Sequence, residues 1–228
     1  MDVAATIERG RYGAFAWRCE RSVAQKLTLA LLMATVTGLF AQIKIDLWFT
    51  PVPITGQTFA VLFSGVLLGR WWGGMSQALY AGIGAAGVPW FAGWSGGAAV
   101  LSGPSGGYIV GFVLAALFVG YFTDTFINSR RFFPMLGLMI FANFALIHGP
   151  GLIWINTHPY ELWLKSSQVL GLGPYQGRNL LSLLMIGTIP FIVGDLIKIG
   201  MAAALTKGLT PKQAYNGEVD KATRWWIP

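Results

Sequence analysis

Residues 189–205 read IPFIVGDLIKIGMAAAL, an apolar run with one acid, Asp195, and one base, Lys198, three positions apart. A membrane-spanning helix needs about 20 mostly apolar residues, so this run suits most of one crossing. A charged side chain near the bilayer centre costs roughly 2.5–3.5 kcal/mol on insertion scales, and charges there usually serve a function. At this spacing the two side chains share one helix face. We therefore predict a ligand site at Asp195 and Lys198; an internal salt bridge that neutralises both charges is the alternative.

The composition of the whole chain is typical of a membrane protein. Hydrophobic residues make up 54% of the 228 residues and charged residues 11%, with a mean hydropathy of +0.58. A soluble domain carries about 25% charged residues. No linker divides the sequence, so we expect a membrane domain over residues 24–207, a cytoplasmic N-terminal segment over 1–23 and a cytoplasmic C-terminal tail over 208–228.

Apolar segments along the chain predict an all-α bundle of six transmembrane helices. The second and third segments are short, so they must tilt or thin the bilayer. Pro190 suits the first turn of a helix, which indicates that the last helix begins near Thr188 or Ile189. The six predicted spans cover residues 24–43, 57–68, 72–87, 106–122, 132–155 and 183–205.

The distribution of Lys and Arg predicts that both termini face the cytoplasm, because cytoplasmic segments carry the excess of cations. The outside then holds three cations, Lys44, Lys165 and Arg178. The net charge of +7 is explained by topology and by anionic lipid headgroups, so no nucleic-acid partner is expected. The cytoplasmic side holds Arg9, Arg11, Arg18, Arg21, Lys26, Arg70, Arg130, Arg131, Lys207, Lys212, Lys221 and Arg224.

Two external loops are rich in Gly and Pro, a composition that suits a lid over a cavity. Residues 51–57 read PVPITGQ, and residues 87–108 contain GVPWFAG and GPSGGY. Non-helical backbone near a membrane needs protein or a watery cavity to satisfy its polar groups. Trp90 and Phe91 offer flat apolar surfaces for a ring, whereas an interfacial aromatic belt with simple turns is the alternative.

Four blocks of sequence carry a resemblance to a known family. PVPITGQ at 51–57, GVPWFAG at 87–93, GPSGGY at 103–108 and PFIVGDLIK at 190–198 occur in the same order as in the BioY family. That family comprises the biotin-specific substrate-binding subunits (S components) of energy-coupling-factor (ECF) transporters. The resemblance covers about residues 24–207. Ser105 stands where the family usually has Thr, and residues 156–179 and 208–228 match nothing that can be assigned from the resemblance.

The resemblance implies a biotin-binding subunit of the cytoplasmic membrane that binds no cofactor. It also implies two kinds of partner, a transmembrane coupling subunit and ATP-hydrolysing subunits, since the chain has no phosphate-binding loop of its own. Biotin's ureido ring offers two N–H donors and a carbonyl, so Asp195 would accept and Lys198 would donate. The expected binding residues are Asp195, Lys198, Tyr108, Ser105, Trp90, Phe91 and Gln57.

Small residues recur every four positions on the first span, at Ala30, Ala34 and Gly38. Such a stripe lets another helix approach closely. S components commonly use an alanine stripe on this span to contact the coupling subunit, so the resemblance favours docking through Ala30 and Ala34. Packing against the chain's own helices is the alternative.

Two other functions compete with biotin transport. An S component for another vitamin would keep the fold and change the ligand. An intramembrane serine hydrolase is suggested by G-x-S-x-G at Ser95 and at Ser105, with His148 as a conceivable base, but 30 glycines produce that pattern by chance. We expect His148 to be a hydrogen-bonded residue of span five and His158 a loop residue; with Cys19 they form no usual metal-ligand set.

Overall fold

The computed structural model describes residues 3–157 and 180–214, which form a bundle of helices and one short β-ribbon. The ribbon pairs β1 (Lys44–Ile45) with β2 (Ile54–Thr55) in antiparallel register. The helices are α1 (Val3–Glu20), α2 (Val23–Ala41), α3 (Gln57–Ala85), α4 (Ala98–Ser102), α5 (Gly106–Thr125), α6 (Phe132–Phe141), α7 (His148–Thr157), α8 (Leu180–Gly187) and α9 (Ile192–Leu209).

Four stretches of the described residues are helical, long and apolar enough to cross a membrane. They are Val23–Ala41, Gly106–Thr125, Phe132–Thr157 and Leu180–Leu209. Each overlaps one of the predicted spans, so the all-α membrane architecture agrees with the composition. Of the other two predicted spans, 57–68 lies within α3 and 72–87 ends two residues beyond it.

Helix α3 is a hairpin of two short arms. Gly69 has φ +79° and ψ −177°, a conformation that L side chains rarely adopt, and it reverses the chain. Gln57 Nε2 consequently donates to the Tyr80 hydroxyl at 2.7 Å, although 23 residues of straight helix would separate them by about 34 Å. A Cβ on Gly73 would lie 2.8 Å from Gly65 Cα, so the arms touch through glycine. The two short predicted spans are therefore antiparallel arms of one element.

One end of the bundle, here called the basic end, gathers Arg18, Arg70, Asp124 and Arg130. Arg18 donates to the Val66 and Leu67 carbonyl oxygens and pairs with Asp124. Asp124 also accepts from the Arg70 backbone N–H at 2.8 Å. These contacts join α1, the turn of α3 and the end of α5, so successive helices run alternately toward and away from this end.

The N-terminal segment and the C-terminal residues meet at the basic end. Segment 1–23 contains helix α1, which buries Phe15. Arg130 donates to the Pro211 carbonyl oxygen at 3.3 Å, and the Lys212 backbone N–H donates to Glu8. Several residues used in the sequence predictions lie outside the described residues: His158, Lys165, Arg178, Lys221 and Arg224.

The small residues of α2 face the interior of this chain. Ala30 and Ala34 are both fully buried, and Gln77 of α3 donates to Thr37 on the same face at 3.2 Å. A Cβ on Gly38 would lie 3.0 Å from Trp90 Cβ. In this structure the stripe is buried within the chain's own helices, and docking through Ala30 and Ala34 stays a prediction.

Two irregular segments interrupt the helices toward the end of the bundle opposite the basic end, here called the cavity end. Residues Ala142–Ile147 between α6 and α7 are π-helical. Between α8 and α9, Thr188 leaves the helical conformation and Ile189–Phe191 form one 3₁₀ turn with Pro190 near its start. The predicted helix start near Thr188 or Ile189 thus coincides with a break in the last crossing, and Asp195 lies in the first turn of α9.

Candidate functional site

A cavity of about 280 Å³ lies at the cavity end of the bundle. Ligand cavities in proteins start at about 300 Å³, so this one suits a small ligand. Its apolar wall comes mainly from α5, the 3₁₀ turn and the Gly- and Pro-rich loops, with Phe112 and Phe191 among the lining residues. Its polar wall includes Lys44, Asp46, Thr55, Gln57, Thr58, Ser105, Tyr108, His148, Asp195 and Lys198.

Asp195 is the centre of a buried hydrogen-bond cluster in this wall. Its Oδ1 lies 2.6 Å from Lys198 Nζ and accepts from the Thr58 hydroxyl at 3.4 Å. Its Oδ2 accepts from Asn143 Nδ2 at 2.8 Å and lies 2.9 Å from His148 Nε2. Asp195 is 2% exposed. The salt bridge that the sequence analysis gave as the alternative therefore exists, and it forms part of the cavity wall, so the ligand site at this pair stays a prediction.

Lys198 joins the last helix to the β-ribbon. Its ammonium donates to the Thr55 carbonyl oxygen at 2.8 Å in addition to its contact with Asp195. A lysine has three N–H donors, so these two contacts leave one for a ligand. The side chain is 12% exposed. Burial with two fixed acceptors holds the ammonium in a defined position at the cavity.

The π-helical segment explains why Asn143 and His148 both reach Asp195. In a regular α-helix, residues five apart point about 140° away from each other. The π-helix uses i→i+5 hydrogen bonds, which bring residues five apart onto one face. His148 is 3% exposed, and its Nδ1 lies 3.0 Å from the Gly187 carbonyl oxygen. The expectation of a hydrogen-bonded His148 is confirmed, and its place beside the predicted pair is new.

The structure brings most of the predicted binding residues to this cavity. Phe91 is 1% exposed and packs edge-on to Tyr80 at 5.3 Å. Gln57 donates to the Tyr80 hydroxyl, and its Oε1 accepts from Thr55 at 2.9 Å. These side chains lie beside Asp195 and Lys198 in the same wall. Their binding roles stay predictions.

Tyr108 and Ser105 enter the cavity from the start of α5. The Tyr108 hydroxyl donates to the Gly187 carbonyl oxygen at 2.7 Å, so its phenol also holds the break before α9. Ser105 is the N-cap residue of α5, and its side chain makes no capping hydrogen bond. Ser105 lies in the cavity wall.

Trp90 occupies a different place from its neighbour Phe91. Its indole N–H donates to the Tyr80 carbonyl oxygen at 2.9 Å, and its backbone contacts Gln42 and Gly38 of α2. Tyr80, not Trp90, is among the residues that line the cavity. Trp90 thus packs behind the loop and is not among the residues that line this cavity, and its predicted binding role stays a prediction.

The β-ribbon is the wall between this cavity and an apolar groove. Strand side chains alternate between faces, and Lys44 pairs with Thr55 while Ile45 pairs with Ile54. Lys44 lines the cavity, Ile45 and Ile54 line the groove on the other side, and Thr55 lines both. The ribbon therefore lies between a polar cavity and an apolar groove that meet at Thr55.

The arrangement of the serines does not favour hydrolysis. Among the described residues, neither Ser95 nor Ser105 has a hydrogen bond to His148, whose ring nitrogens lie against Asp195 and Gly187. The Ser95 hydroxyl donates to the Ala92 carbonyl oxygen at 2.9 Å. The described residues also contain no group of His, Cys, Asp and Glu side chains that could hold a metal ion.

Comparison with known proteins agrees with this geometry. The model of the BioY family matches residues 14–214. The chain belongs to the BioY family. This confirms the resemblance carried by the four sequence blocks and extends it into α1 and past the end of α9.

Two relatives and one solved structure illustrate the family. A "Probable biotin transporter BioY" of Methanothermobacter thermautotrophicus is 52% identical over 72% of this chain and 99% of its own length. The "Biotin transporter BioY" of Thermotoga maritima is 32% identical over 74% of this chain and 89% of its own. The fold is similar to a crystal structure of the S-component for biotin from an ECF-type ABC transporter, with a TM-score of 0.67, 24% identity and coverage of 86% and 100% of the two chains.

Proposed function

We propose that this family member is the biotin-binding S component of an ECF-type uptake transporter. The observation that carries the proposal is the buried Asp195 cluster: one carboxylate holds Lys198, His148 and Asn143 at the wall of a small cavity. The relatives' names supply the ligand class. Members of a transporter family need a binding site and no nucleophile, which agrees with the serine geometry.

Biotin's ureido group complements this wall. The third N–H of Lys198 is available to the ureido carbonyl oxygen. Asp195 already accepts from four groups, and its contact with Thr58, at 3.4 Å, is the longest. A ureido N–H would take the place of Thr58 on Oδ1, and the apolar side of the ring system would rest on Phe91 and Tyr108. Asp195 therefore serves both to position Lys198 and to accept from the ligand.

The membrane arrangement follows from the alternating helix directions. We infer six crossings of the cytoplasmic membrane: α2, the two arms of α3, α5, α6 with α7, and α8 with α9. The basic end would face the cytoplasm with both termini, because it holds Arg18, Arg70 and Arg130. The cavity and its Gly-rich loops then face outward, where the vitamin arrives. Anionic lipid would contact the basic end.

Uptake needs partners, because the sequence contains no phosphate-binding loop. The ECF context supplies a transmembrane coupling subunit and ATP-hydrolysing subunits. Buried Ala30 and Ala34 offer such a subunit no surface in the described conformation. Docking through them would therefore require α2 to separate from α3.

Equilibrium binding of the purified full chain in detergent to biotin, thiamine and riboflavin tests the function. Saturable binding of biotin alone is expected, and Asp195→Asn and Lys198→Ala should each abolish it. Binding of thiamine or riboflavin instead would keep the fold and overturn the ligand. If both variants bound biotin like the natural chain, the site would be wrong. Resistance to a fluorophosphonate probe would separate transport from hydrolysis.

A further inference from the structure

The cavity contains a second cation, Lys44, at the ribbon between α2 and α3. Lys44 pairs across the ribbon with Thr55, and the Thr55 carbonyl oxygen accepts from Lys198. Lys44 and Lys198 therefore both neighbour Thr55, and both line the same cavity. The proposed ligand has two polar ends, a ureido ring and a carboxylate, and the Asp195 cluster suits only the first.

The two lysines differ in how firmly their acids hold them. Lys198 is paired with Asp195, which is 2% exposed and fixed by further hydrogen bonds. Lys44 is paired with Asp46 at 2.9 Å, but the Asp46 side chain is 68% exposed and the Lys44 side chain 35%. Exposed ion pairs are weak, because water screens both charges. Another anion can thus readily replace Asp46 as the partner of Lys44.

We propose that Lys44 binds the carboxylate of the ligand and that Asp46 is paired with Lys44 until the ligand carboxylate replaces it. The assignment rests on the proposed function, since it concerns the second end of the same molecule. A carboxylate that replaces Asp46 keeps the charge balance of the cavity, with Lys44 and Lys198 matched by Asp195 and the ligand. An amide at that position would leave Asp46 in place and gain no charged contact.

The loop after α3 leaves room for this exchange. A Cβ on Gly93 would lie 3.0 Å from Lys44 Nζ, and Gly93 has φ +72°. Glycine thus lets this loop close over the ammonium. Gln42, two residues before Lys44, also donates to the Phe91 carbonyl oxygen and accepts from the Trp94 backbone N–H. A ligand held by Lys44 therefore contacts the ribbon and this loop together.

Binding of biotin and of its neutral amide, biotinamide, to the purified full chain tests the assignment. The natural chain should prefer the acid about 10-fold, as expected for a partly exposed charged hydrogen bond. Lys44→Met should weaken acid binding about 10-fold, leave the amide unchanged and so remove the preference. Asp46→Asn should tighten the binding of biotin several-fold without affecting the binding of biotinamide. Lys207→Met at the basic end is the matched control and should change neither.

Three results would overturn the assignment. In the first, the Lys44→Met chain binds biotin like the natural chain. In the second, it binds biotin and biotinamide equally more weakly than the natural chain, which would indicate a structural role for Lys44. Ser105→Ala could remove the acid preference while Lys44→Met keeps it, which would place the carboxylate at the start of α5. A natural chain that binds neither biotin nor biotinamide would overturn the proposed function itself, a failure distinct from the other three.

Discussion

The two ends of the bundle each contain a cluster of opposite charges, and the two clusters differ in burial and in whether the ion pair lines the candidate ligand cavity. At the basic end, Arg18 joins Asp124 to the backbone carbonyl oxygens of Val66 and Leu67. At the cavity end, Lys198 and Asp195 also pair, but both side chains line an open volume of about 280 Å³. The ion pair at the cavity end therefore differs in two respects: its acid, Asp195, is 2% exposed whereas Asp124 is 30% exposed, and it lies in the wall of the candidate cavity.

Removing the acid at each end should give the largest difference between the two ends in thermal stability and in biotin binding. Asp195→Ala leaves Lys198 and His148 without their anion in a buried site, a change that typically costs 3–5 kcal/mol. We expect a large drop in thermal stability and no measurable biotin binding. Asp124→Ala removes a carboxylate that is 30% exposed, so we expect a loss of roughly 1 kcal/mol and biotin affinity within a few-fold of the natural chain.

Thermal unfolding in detergent, with and without biotin, measures both effects. Biotin should raise the unfolding temperature of the Asp124→Ala chain and not that of the Asp195→Ala chain. The distinction between the two ends would fail if Asp124→Ala lost biotin binding while remaining folded.

A bulky residue on the inner face of α2 should damage both ends together. Ala34 is fully buried, and Ala34→Trp forces a ring into packed helices, which typically costs 1–3 kcal/mol or more. We expect lower unfolding temperature together with lost biotin binding. Leu32→Trp is the matched control, because Leu32 is 57% exposed. A folded Ala34→Trp chain that binds biotin but fails to assemble with its coupling subunit would favour the docking role instead.

A substitution at Gly69, the strained turn at the basic end, should lower stability, whereas the same substitution at Gly82 in the same hairpin should not. A Cβ on Gly69 would lie within 2.3 Å of Asp124 Oδ2, and its φ is +79°. Gly69→Ala should therefore destabilise the fold by about 1–3 kcal/mol. Gly82→Ala meets nothing within 4 Å and should stabilise the helix by up to about 1 kcal/mol. Unfolding temperatures of both chains measure the contrast, and equal shifts would contradict the hairpin turn.

The smallest effect is expected at Thr58, whose contact with Asp195 is the longest in the cluster at 3.4 Å. Thr58→Val keeps the shape and removes the hydroxyl. Because the ligand is proposed to replace this contact, biotin affinity should stay within about 3-fold and stability should fall by about 1 kcal/mol or less. Titration of both chains with biotin measures this. A loss of binding as complete as that of Asp195→Asn would show that Thr58 itself holds the ligand.

Much of the fold was accessible from apolar patterning, because membrane crossings require long apolar segments. The two short spans are the arms of α3, and the predicted break between residues 68 and 72 coincides with the turn at Gly69. Apolar patterning gave no sign that one residue with a positive φ makes this turn. The inward face of α2 was also not decidable from spacing. A four-residue repeat of small side chains fits close packing against any helix, inside or outside the chain.

The candidate site was predictable where it lies on one regular helix. Asp195 and Lys198 share a face at three-residue spacing, and their ion pair follows from that geometry. Asn143 and His148 could not be joined to them, because the π-helical segment changes the face of every residue beyond it. An Asn in an apolar span was the one available signal. Trp90 and Phe91 are adjacent in sequence, and only the loop backbone decides which ring meets the cavity.

The π-helical segment makes the ligand site depend on backbone hydrogen bonding in an apolar helix. In regular α-helix the five positions from Asn143 to His148 would set the two side chains about 140° apart, so that His148 would point away from Asp195. Deleting one residue from 144–147 would instead leave them four positions apart, about 40° around a regular helix and still on one face. Recognition in this family therefore depends on a backbone pattern that hydropathy does not record.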